Sequence, residues 1–336
     1  MGKPKKIMLN KQAYLNPRLF DPDIEKFPSR DGYGEGLVLA GEENEQVVAL
    51  CADLLESTRT LAFAEKFPQR YVEVGVAEQN LATVAAGMAL AGKIPFISSY
   101  ATFSPGRNWE QIRTTACYND APVKVIGSHA GLSVGPDGAT HQALEDLALM
   151  RSLPNMIVVS PTDSIEARKA TLAIAKSPKP CYLRLSRDKV PVITTDQTPF
   201  EIGKAEVFYE GSDVAVIATG QMVHKALQAA KEMELHKISV RVINCHTIKP
   251  LDKQTILKAA EECGVIVTVE EHQVIGGLGG AVAEILSQNF PVPLKIIGVE
   301  DQFGESGEPN ELLVKFGLTK EAIIKAITHV ISMKEK

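Results

Sequence analysis

The chain has 336 residues, of which 45% are hydrophobic and 23% are charged, and its formal net charge is −5. This composition excludes a disordered chain and, at about 150 residues per domain, favours two globular domains. The negative charge argues against a nucleic-acid-binding protein, and no apolar run approaches the ~20 residues of a membrane span.

Residues 1–30 are polar and contain four prolines, so we predict a tail that lies on a surface or on a partner. The segment lacks the apolar core of a secretory signal. The five cysteines are scattered without CxxC spacing. They predict buried free thiols, no disulfide or zinc framework, and a reducing, cytoplasmic location.

From residue 31 to residue 195, short β-branched runs alternate with segments of helical period. The predicted strands are 47–54, 71–76, 94–100, 122–129, 156–161 and 181–187. The predicted helices between them are 78–92, 108–118, 141–153 and 163–177. Because these strands are apolar on both faces, we expect an α/β domain with a mostly parallel sheet that helices cover on both sides.

Residues 188–212 interrupt the alternation with prolines and polar residues, so we place a linker at 196–205. A second α/β domain is predicted over 206–336. Its predicted strands are 214–220, 238–247, 265–272 and 294–301. Its predicted helices are 221–234, 251–263, 277–288 and 319–333.

A glycine loop follows the strand at 265–272. The spacing Gly277-x-Gly279-Gly280 departs from the dinucleotide-binding pattern, which also favours the first strand of a domain. We therefore expect these glycines to allow a tight turn and close helix packing. For Glu271 and His272 we predict a solvated loop rather than a subunit interface.

The loop after strand 122–129 contains His129, Asp137 and His141. It leaves the carboxyl end of a strand, where open α/β sheets bind ligands. We expect Thr140 to cap the following helix, with His141 in its first turn. No spacing here is a recognised metal pattern, so a functional site and a capped loop with surface histidines both stay open.

Glu78 begins a helix that is apolar on nearly every face, which predicts that the helix is buried. A carboxylate at a helix N-terminus can have a purely structural role, because it interacts favourably with the helix dipole. Burial there raises a carboxyl pKa, which suits proton transfer.

Tyr100 and Phe103 follow the strand at 94–100 and could flank a flat heterocycle or simply pack. Arg184 and Arg187 end the strand at 181–187. Because they are an odd number of positions apart, at most one faces a given cleft, where it could hold a phosphate.

Together these motifs resemble the transketolase family over residues 30–335, namely its pyrimidine-binding and C-terminal domains. The segments that carry the resemblance are GVAEQN, YATF and SVGPDGATHQ. The resemblance implies a thiamine-diphosphate-binding fold in which Glu78 is the catalytic glutamate. It further implies that Tyr100 and Phe103 enclose the aminopyrimidine ring and that Asp53 lies near the thiamine.

The resemblance also implies a sugar-phosphate site. Asp137 and His141 would contact sugar hydroxyls, and His129 and His141 are candidate catalytic hydrogen-bonding groups. The positions that would hold the phosphate are Arg30, Ser57, His129 and Arg187.

The implied activity moves a two-carbon unit from a ketose phosphate to an aldose phosphate. Glu78 would hydrogen-bond N1′ of the cofactor and favour the imino tautomer that removes the thiazolium proton. The cofactor serves as the electron sink, while protein groups orient and protonate.

The sequence departs from full-length members in one respect: it has no GDG followed about thirty residues later by Asn, the motif that binds the diphosphate and Mg²⁺. The chain therefore resembles the C-terminal subunit of a split transketolase. A partner chain would supply the diphosphate and Mg²⁺ site, and no metal ligands are expected here. We expect a dimer of such heterodimers.

Three rival interpretations remain. A 1-deoxyxylulose-5-phosphate synthase shares the same motifs, and the beta subunit of a 2-oxo-acid dehydrogenase decarboxylase component shares the domains. The DGATHQ loop and LSRDK argue against the decarboxylase. A non-catalytic scaffolding paralogue would not need Glu78, Tyr100, Phe103, Asp137 and His141.

Overall fold

Two mostly parallel sheets with helices packed around them form the framework in a computed structural model of the chain, which describes residues 8–334. The strands are β1 (Met8–Leu9), β2 (Lys26–Pro28), β3 (Val47–Cys51), β4 (Tyr71–Glu73), β5 (Ile94–Tyr100), β6 (Lys124–Ser128), β7 (Ile157–Val159), β8 (Cys181–Arg184), β9 (Lys189–Pro191), β10 (Glu206–Glu210), β11 (Val214–Ala218), β12 (Val240–Asn244), β13 (Thr247–Lys249), β14 (Ile266–Gln273) and β15 (Leu294–Val299). The helices are α1 (Ser29–Glu43), α2 (Leu61–Lys66), α3 (Glu78–Leu90), α4 (Trp109–Gln111), α5 (Asp146–Arg151), α6 (Ser164–Lys176), α7 (Met222–Met233), α8 (Lys253–Cys263), α9 (Leu278–Asn289), α10 (Pro309–Lys315) and α11 (Lys320–Lys334).

The first sheet has the order β13-β7-β8-β6-β5-β3-β4, and β3 to β8 run parallel. Every residue of β3 and β6 is buried, as expected for strands covered on both faces. The predicted α/β architecture is confirmed. One strand comes from the second half of the chain, because β13 pairs antiparallel with β7.

The second sheet has the order β1-β10-β12-β11-β14-β15. Its four parallel strands were predicted, whereas the antiparallel β1 and β10 were not. β10 lies in the region 188–212. The prolines and polar residues around this strand hid its alternation of apolar and polar residues, so it was not predicted. Residues 192–205 have no regular secondary structure, and our division of the chain at 196–205 stays a proposal.

The described part of the predicted tail, residues 8–28, packs on the chain itself. β1 pairs with β10, and β2 pairs with β9. Ala13 and Leu19 are fully buried in the core of the second sheet. A few buried apolar side chains and two short strand pairings thus fix this polar segment against both halves of the chain. Residues 1–7 lie outside the described residues.

α1 occupies a stretch in which no helix was predicted, because its four glycines lower helix propensity. A Cβ on Gly32 would lie 1.8 Å from the carbonyl oxygen of Ser164, and one on Gly36 would lie 2.8 Å from Cβ of Thr171. The glycines let α1 pack directly against α6. This packing places Arg30 in the first turn of α1.

α5 begins at Asp146, so the predicted helix from His141 is wrong over its first five residues. Here the N–H groups of His141 and Gln142 donate to the carbonyl of Gly138 in a tight turn, and Ala143 bonds to a distant segment. The N–H of Gly131 donates to the carbonyl of Ala143 at 2.9 Å, and residues 130 and 143 form a parallel bridge. The segment before α5 is therefore a turn followed by an isolated bridge and not a helix.

α3 buries one face and exposes the other, so the prediction of burial on nearly every side is wrong. Leu81 and Ala85 are fully buried against the sheet. On the opposite side Leu90 is 65% exposed, and Val76, just before the helix, is 69% exposed. The other exposed positions of the helix are polar or glycine, namely Gln79, Asn80, Thr83 and Gly87.

The end of β14 is buried, so the predicted solvated loop at Glu271 and His272 is wrong. The prediction that the glycines after it allow close helix packing is confirmed, since a Cβ on Gly279 would lie 2.5 Å from Cγ2 of Ile296. The carboxylate of the buried Glu270 accepts hydrogen bonds from the N–H groups of Leu278 and Gly279 at 2.7 and 2.8 Å. The N-terminus of α9 is thus filled by the chain's own carboxylate.

All five cysteines are buried and free, as predicted. Within residues 8–334, no helix combines the length and the apolar character that a membrane crossing needs.

Candidate active site

An arginine at the start of α1 organises one end of the site. Nη1 of Arg30 donates to the carbonyl of Ser57 at 2.8 Å and to Nε2 of His129 at 3.0 Å. Burial, followed by repulsion from Arg59 and Arg187, lowers the pKa of Arg30. Three guanidinium groups therefore bias this corner toward an anion.

His129 is buried beside these arginines and has a left-handed backbone, with φ +57°. Because a guanidinium only donates, Nε2 of His129 accepts from Arg30, and Nδ1 lies 2.8 Å from the hydroxyl of Ser128. Burial and then the charges of Arg30, Arg187 and Arg59 lower the pKa of His129 to about 2. The imidazole is therefore neutral at physiological pH.

Four rings form a cluster at the carboxyl ends of β5 and β6. Tyr100 stacks on His129 with centroids 3.9 Å apart and on Phe103 at 6.0 Å. His141 meets Phe103 edge-on at 5.3 Å and Tyr100 at 6.1 Å. The structure thus brings together four of the ring side chains that the sequence singled out.

Glu78 is the first residue of α3, and only 4% of it is exposed. Nη1 of Arg107 lies 3.1 Å from Oε1 and 3.3 Å from Oε2 of its carboxylate. The guanidinium also lies 4.1 Å from the ring centroid of Phe103. Arg107 therefore links Glu78 to the ring cluster.

Asn108 fixes the start of α3 from the same loop. Its Nδ2 donates to the carbonyl of Glu78 at 2.9 Å and to the hydroxyl of Ser104 at 3.1 Å. Its Oδ1 is buried and lacks a hydrogen-bond partner within the described chain. A polar ligand group at this point would find an open acceptor.

The loop that carries Asp137 departs from the sequence prediction. It forms a 3-10 turn over Leu132–Asp137, and Thr140 does not cap a helix; its hydroxyl lies 2.9 Å from Nδ1 of His141. Gly135 and Gly138 have φ of +78° and +75°, which only glycine adopts readily. Asp137 is exposed at the tip of this turn.

Three other predicted site residues are not part of the ring cluster. Nη1 of Arg187 donates to the carbonyl of Val134 at 2.9 Å and acts on His129 through its charge. Asp53 is exposed, has φ +57° and donates its N–H to Oε1 of Glu73 at 2.8 Å. Among the described residues, neither the Asp53 nor the Asp137 side chain makes a hydrogen bond or ion pair with the ring cluster, and their roles stay predictions.

Arg59 and Arg107 belong to this site but were not singled out from the sequence. Arg59 pairs with Asp31 through Nε and Oδ1 at 2.6 Å. A lone arginine in a loop has no spacing pattern that marks it. The only available signal was proximity in sequence, since Arg107 follows YATF by four residues and Arg59 follows Ser57 by two.

Residues 25–192 match the transketolase pyrimidine binding domain, and residues 203–323 match the transketolase C-terminal domain. The chain belongs to the transketolase family. It carries the two domains that lie together in this family, in the same order.

Subunits of divided transketolases are similar to this chain over nearly their whole length. A provisionally named transketolase C-terminal section from Methanocaldococcus jannaschii is 44% identical, over 89% of this chain and 94% of that protein. A 6-deoxy-6-sulfo-D-fructose transketolase subunit from a Clostridium species is 40% identical, over 94% and 98%. A solved split-gene transketolase, described as an inactive beta4 tetramer, is 45% identical with a TM-score of 0.86, over 92% and 99%.

The side chains fit the aminopyrimidine half of thiamine diphosphate. Glu78 offers a buried carboxyl group, Asn108 an open buried acceptor, and Tyr100 and Phe103 adjacent ring faces. Between residues 8 and 334, no group of three or more His, Cys, Asp or Glu side chains is arranged to hold a metal ion. The location of Mg²⁺ ligands on another chain stays a prediction.

Proposed function

We propose that this chain is one subunit of a thiamine-diphosphate-dependent transketolase that moves a two-carbon ketol unit between sugar phosphates. The observation that supports it best is the buried Glu78 at the start of α3, which Arg107 links to the Phe103 ring and so to Tyr100. A separate chain supplies the diphosphate and Mg²⁺ site, as the similarity to divided transketolase subunits suggests.

Thiamine diphosphate supplies the electron sink that carbon–carbon cleavage needs. The role of Glu78 is to hold a proton at N1′ of the pyrimidine. The N-terminus of α3 and Asn108 keep the backbone of Glu78 in place. Tyr100 and Phe103 provide apolar faces that exclude water from the ring.

The arginine corner binds the anionic end of the substrate. Arg30 and Arg187 supply charge, and Ser57 lies beside them. His129, which is neutral, offers hydrogen bonds rather than a proton. One relative is named as a subunit for a sulfonated sugar, whose anionic group differs from a phosphate. Asp137 and His141 face the sugar hydroxyls in this proposal.

Assembly completes the site. Val76, two residues before Glu78, and Leu90, at the end of α3, are large apolar side chains that the single chain leaves exposed. We assign these two residues to contacts between subunits, in a dimer of heterodimers. The buried free thiols agree with a cytoplasmic location.

A two-carbon transfer assay from xylulose 5-phosphate to ribose 5-phosphate tests the proposal. It is run with thiamine diphosphate and Mg²⁺, on the chain alone and on the chain mixed with a diphosphate-binding subunit from the same organism. We expect activity only in the mixture. Activity of the chain alone would contradict the divided site, and turnover of pyruvate instead of the ketose would favour a synthase.

A further inference from the structure

The second domain reaches the loop that carries Asp137 and His141. Glu271, at the end of β14, lies beneath this loop with only 4% of its surface exposed. Its Oε1 accepts from the N–H of Ser133 at 2.6 Å, and its Oε2 accepts from the hydroxyl of Ser133 at 3.3 Å and from Nε2 of Gln221.

The loop is shaped to receive this carboxylate. Gly131 has φ +89°, and a Cβ there would lie 2.4 Å from Cδ of Glu271. Nη2 of Arg184 donates to the backbone carbonyl of Glu271 at 2.8 Å and to that of Ala143, beyond the loop, at 3.4 Å. Both ends of the loop are therefore tied to β14.

A second set of contacts holds the tip of the loop. Nε2 of Gln142 donates to the carbonyls of Leu132, Gly135 and Glu305 at 3.3, 3.1 and 2.9 Å. Glu305 belongs to the second domain, so Gln142 joins the loop to that domain as well. Asp137 stays exposed above this buried base.

Glu270 provides an internal comparison. It is the neighbour of Glu271 on β14 and is also buried, but its carboxylate accepts from Leu278 and Gly279 at the start of α9. It therefore supports the second domain without a hydrogen bond to the loop. A comparison of variants at Glu270 and Glu271 can therefore distinguish an effect on the loop from a general loss of stability.

We propose that Glu271 is a positioning residue, which holds residues 131–142 in the conformation that presents Asp137 and His141 to the substrate. This inference rests on the proposed function. It gives the second domain a part in sugar recognition besides assembly.

The test compares Glu271→Met, which removes both acceptors at similar volume, with Glu270→Met. Glu271→Gln is the conservative variant, because its amide oxygen can still accept from Ser133. Hydrogen exchange is followed in the isolated chain, and KM for the ketose phosphate and Kd for thiamine diphosphate are measured in the reconstituted complex. If Glu271→Met does not fold, Glu271→Gln takes its place in the comparison.

In Glu271→Met we expect amides 131–138 to exchange faster and KM to rise, each on the order of tenfold, because a buried N–H loses its acceptor. The cofactor Kd should stay within about twofold. Glu271→Gln should lie in between, and Glu270→Met should lower thermal stability without a change in KM.

Unchanged exchange at 131–138 in the folded Glu271 variant would overturn the inference, whatever the enzyme's activity. An unchanged KM, or an equal rise in KM in Glu270→Met, would overturn it too. If the wild-type complex turns over no sugar phosphate, the proposed function fails and the part of the inference that concerns the substrate fails with it.

Discussion

The guanidinium of Arg107 donates to both carboxylate oxygens of Glu78, with Nη1 3.1 Å from Oε1 and 3.3 Å from Oε2. Glu78 is buried, whereas the side chain of Arg107 is 51% exposed, so the pair lies at the open edge of the site. The carboxylate that we assign to the cofactor therefore has a partner in the chain alone.

A double-mutant cycle measures this pair. We expect Glu78→Gln and Arg107→Met to be coupled by about 0.5–1 kcal/mol in the free energy of unfolding, because solvent screens the exposed arginine. Chemical denaturation of the wild type, the two single variants and the double variant gives the value. The exposed pair Arg18–Asp21 is the control and should show weaker coupling. Equal coupling in the two cycles would contradict the observed contact.

Arg30→Met should raise KM for the sugar phosphate about ten- to hundredfold, because a charged hydrogen-bond donor to the anion is lost. Raising the salt concentration should also raise the wild-type KM, and should do so less in the variant. Steady-state kinetics of the reconstituted complex provide both readouts, with Arg18→Met as a surface control. A KM equal to that of the control would remove Arg30 from the phosphate site.

His129 should make the chain sensitive to acid. Its pKa falls from an ordinary 6.5 to about 2 in the folded chain, so the unfolded chain binds more protons below pH 6.5. The stability that the neutral form provides is complete above pH 6.5 and is lost as the pH falls from there toward 2. The loss approaches about 1.4 kcal/mol per pH unit.

Urea unfolding of the wild type and of His129→Gln at several pH values below 6.5 measures this effect. The wild type should lose stability more steeply than the variant. Two other buried histidines, His224 and His246, also have lowered pKa values but are present in both proteins, so their contribution cancels. Parallel curves would show that His129 is not held neutral.

Leu90→Arg should weaken assembly, because it places a charge at an exposed apolar residue at the end of α3 that we assign to a subunit contact. Sedimentation velocity, with and without the partner subunit, reports the assembly, and the melting temperature reports the fold. Leu235 is 83% exposed and lies elsewhere, in the 3-10 turn that follows α7, so Leu235→Arg is the matched control. Unchanged assembly in Leu90→Arg would place the subunit interface on another face.

The sequence predicted the parallel strands well, because runs such as β3 and β11 are apolar on both faces. It was less informative where local propensity and tertiary packing disagree. α1 was missed because its glycines disfavour a helix in isolation and become favourable only against α6. The start of α5 was misplaced because the preceding residues form a turn closed on Gly138, after which Ala143 accepts from the distant Gly131.

In the candidate site, too, some residues could be predicted from sequence motifs and others could not. Tyr100, Phe103, His129 and His141 were found from motifs, and the structure brings their rings together. Arg107 and Glu271 were missed as functional residues, because their importance lies in contacts with distant segments. Single charged residues of this kind become recognisable only when the chain is folded.

The most direct test of the account is the two-carbon transfer rate of the reconstituted complex with Glu78→Ala beside the wild type. We predict that the variant folds, assembles with the partner, and loses at least about 10²-fold in turnover, as expected when a proton-holding group is removed. Near-normal turnover by a folded and assembled variant would contradict the assignment of Glu78, and with it the proposed site.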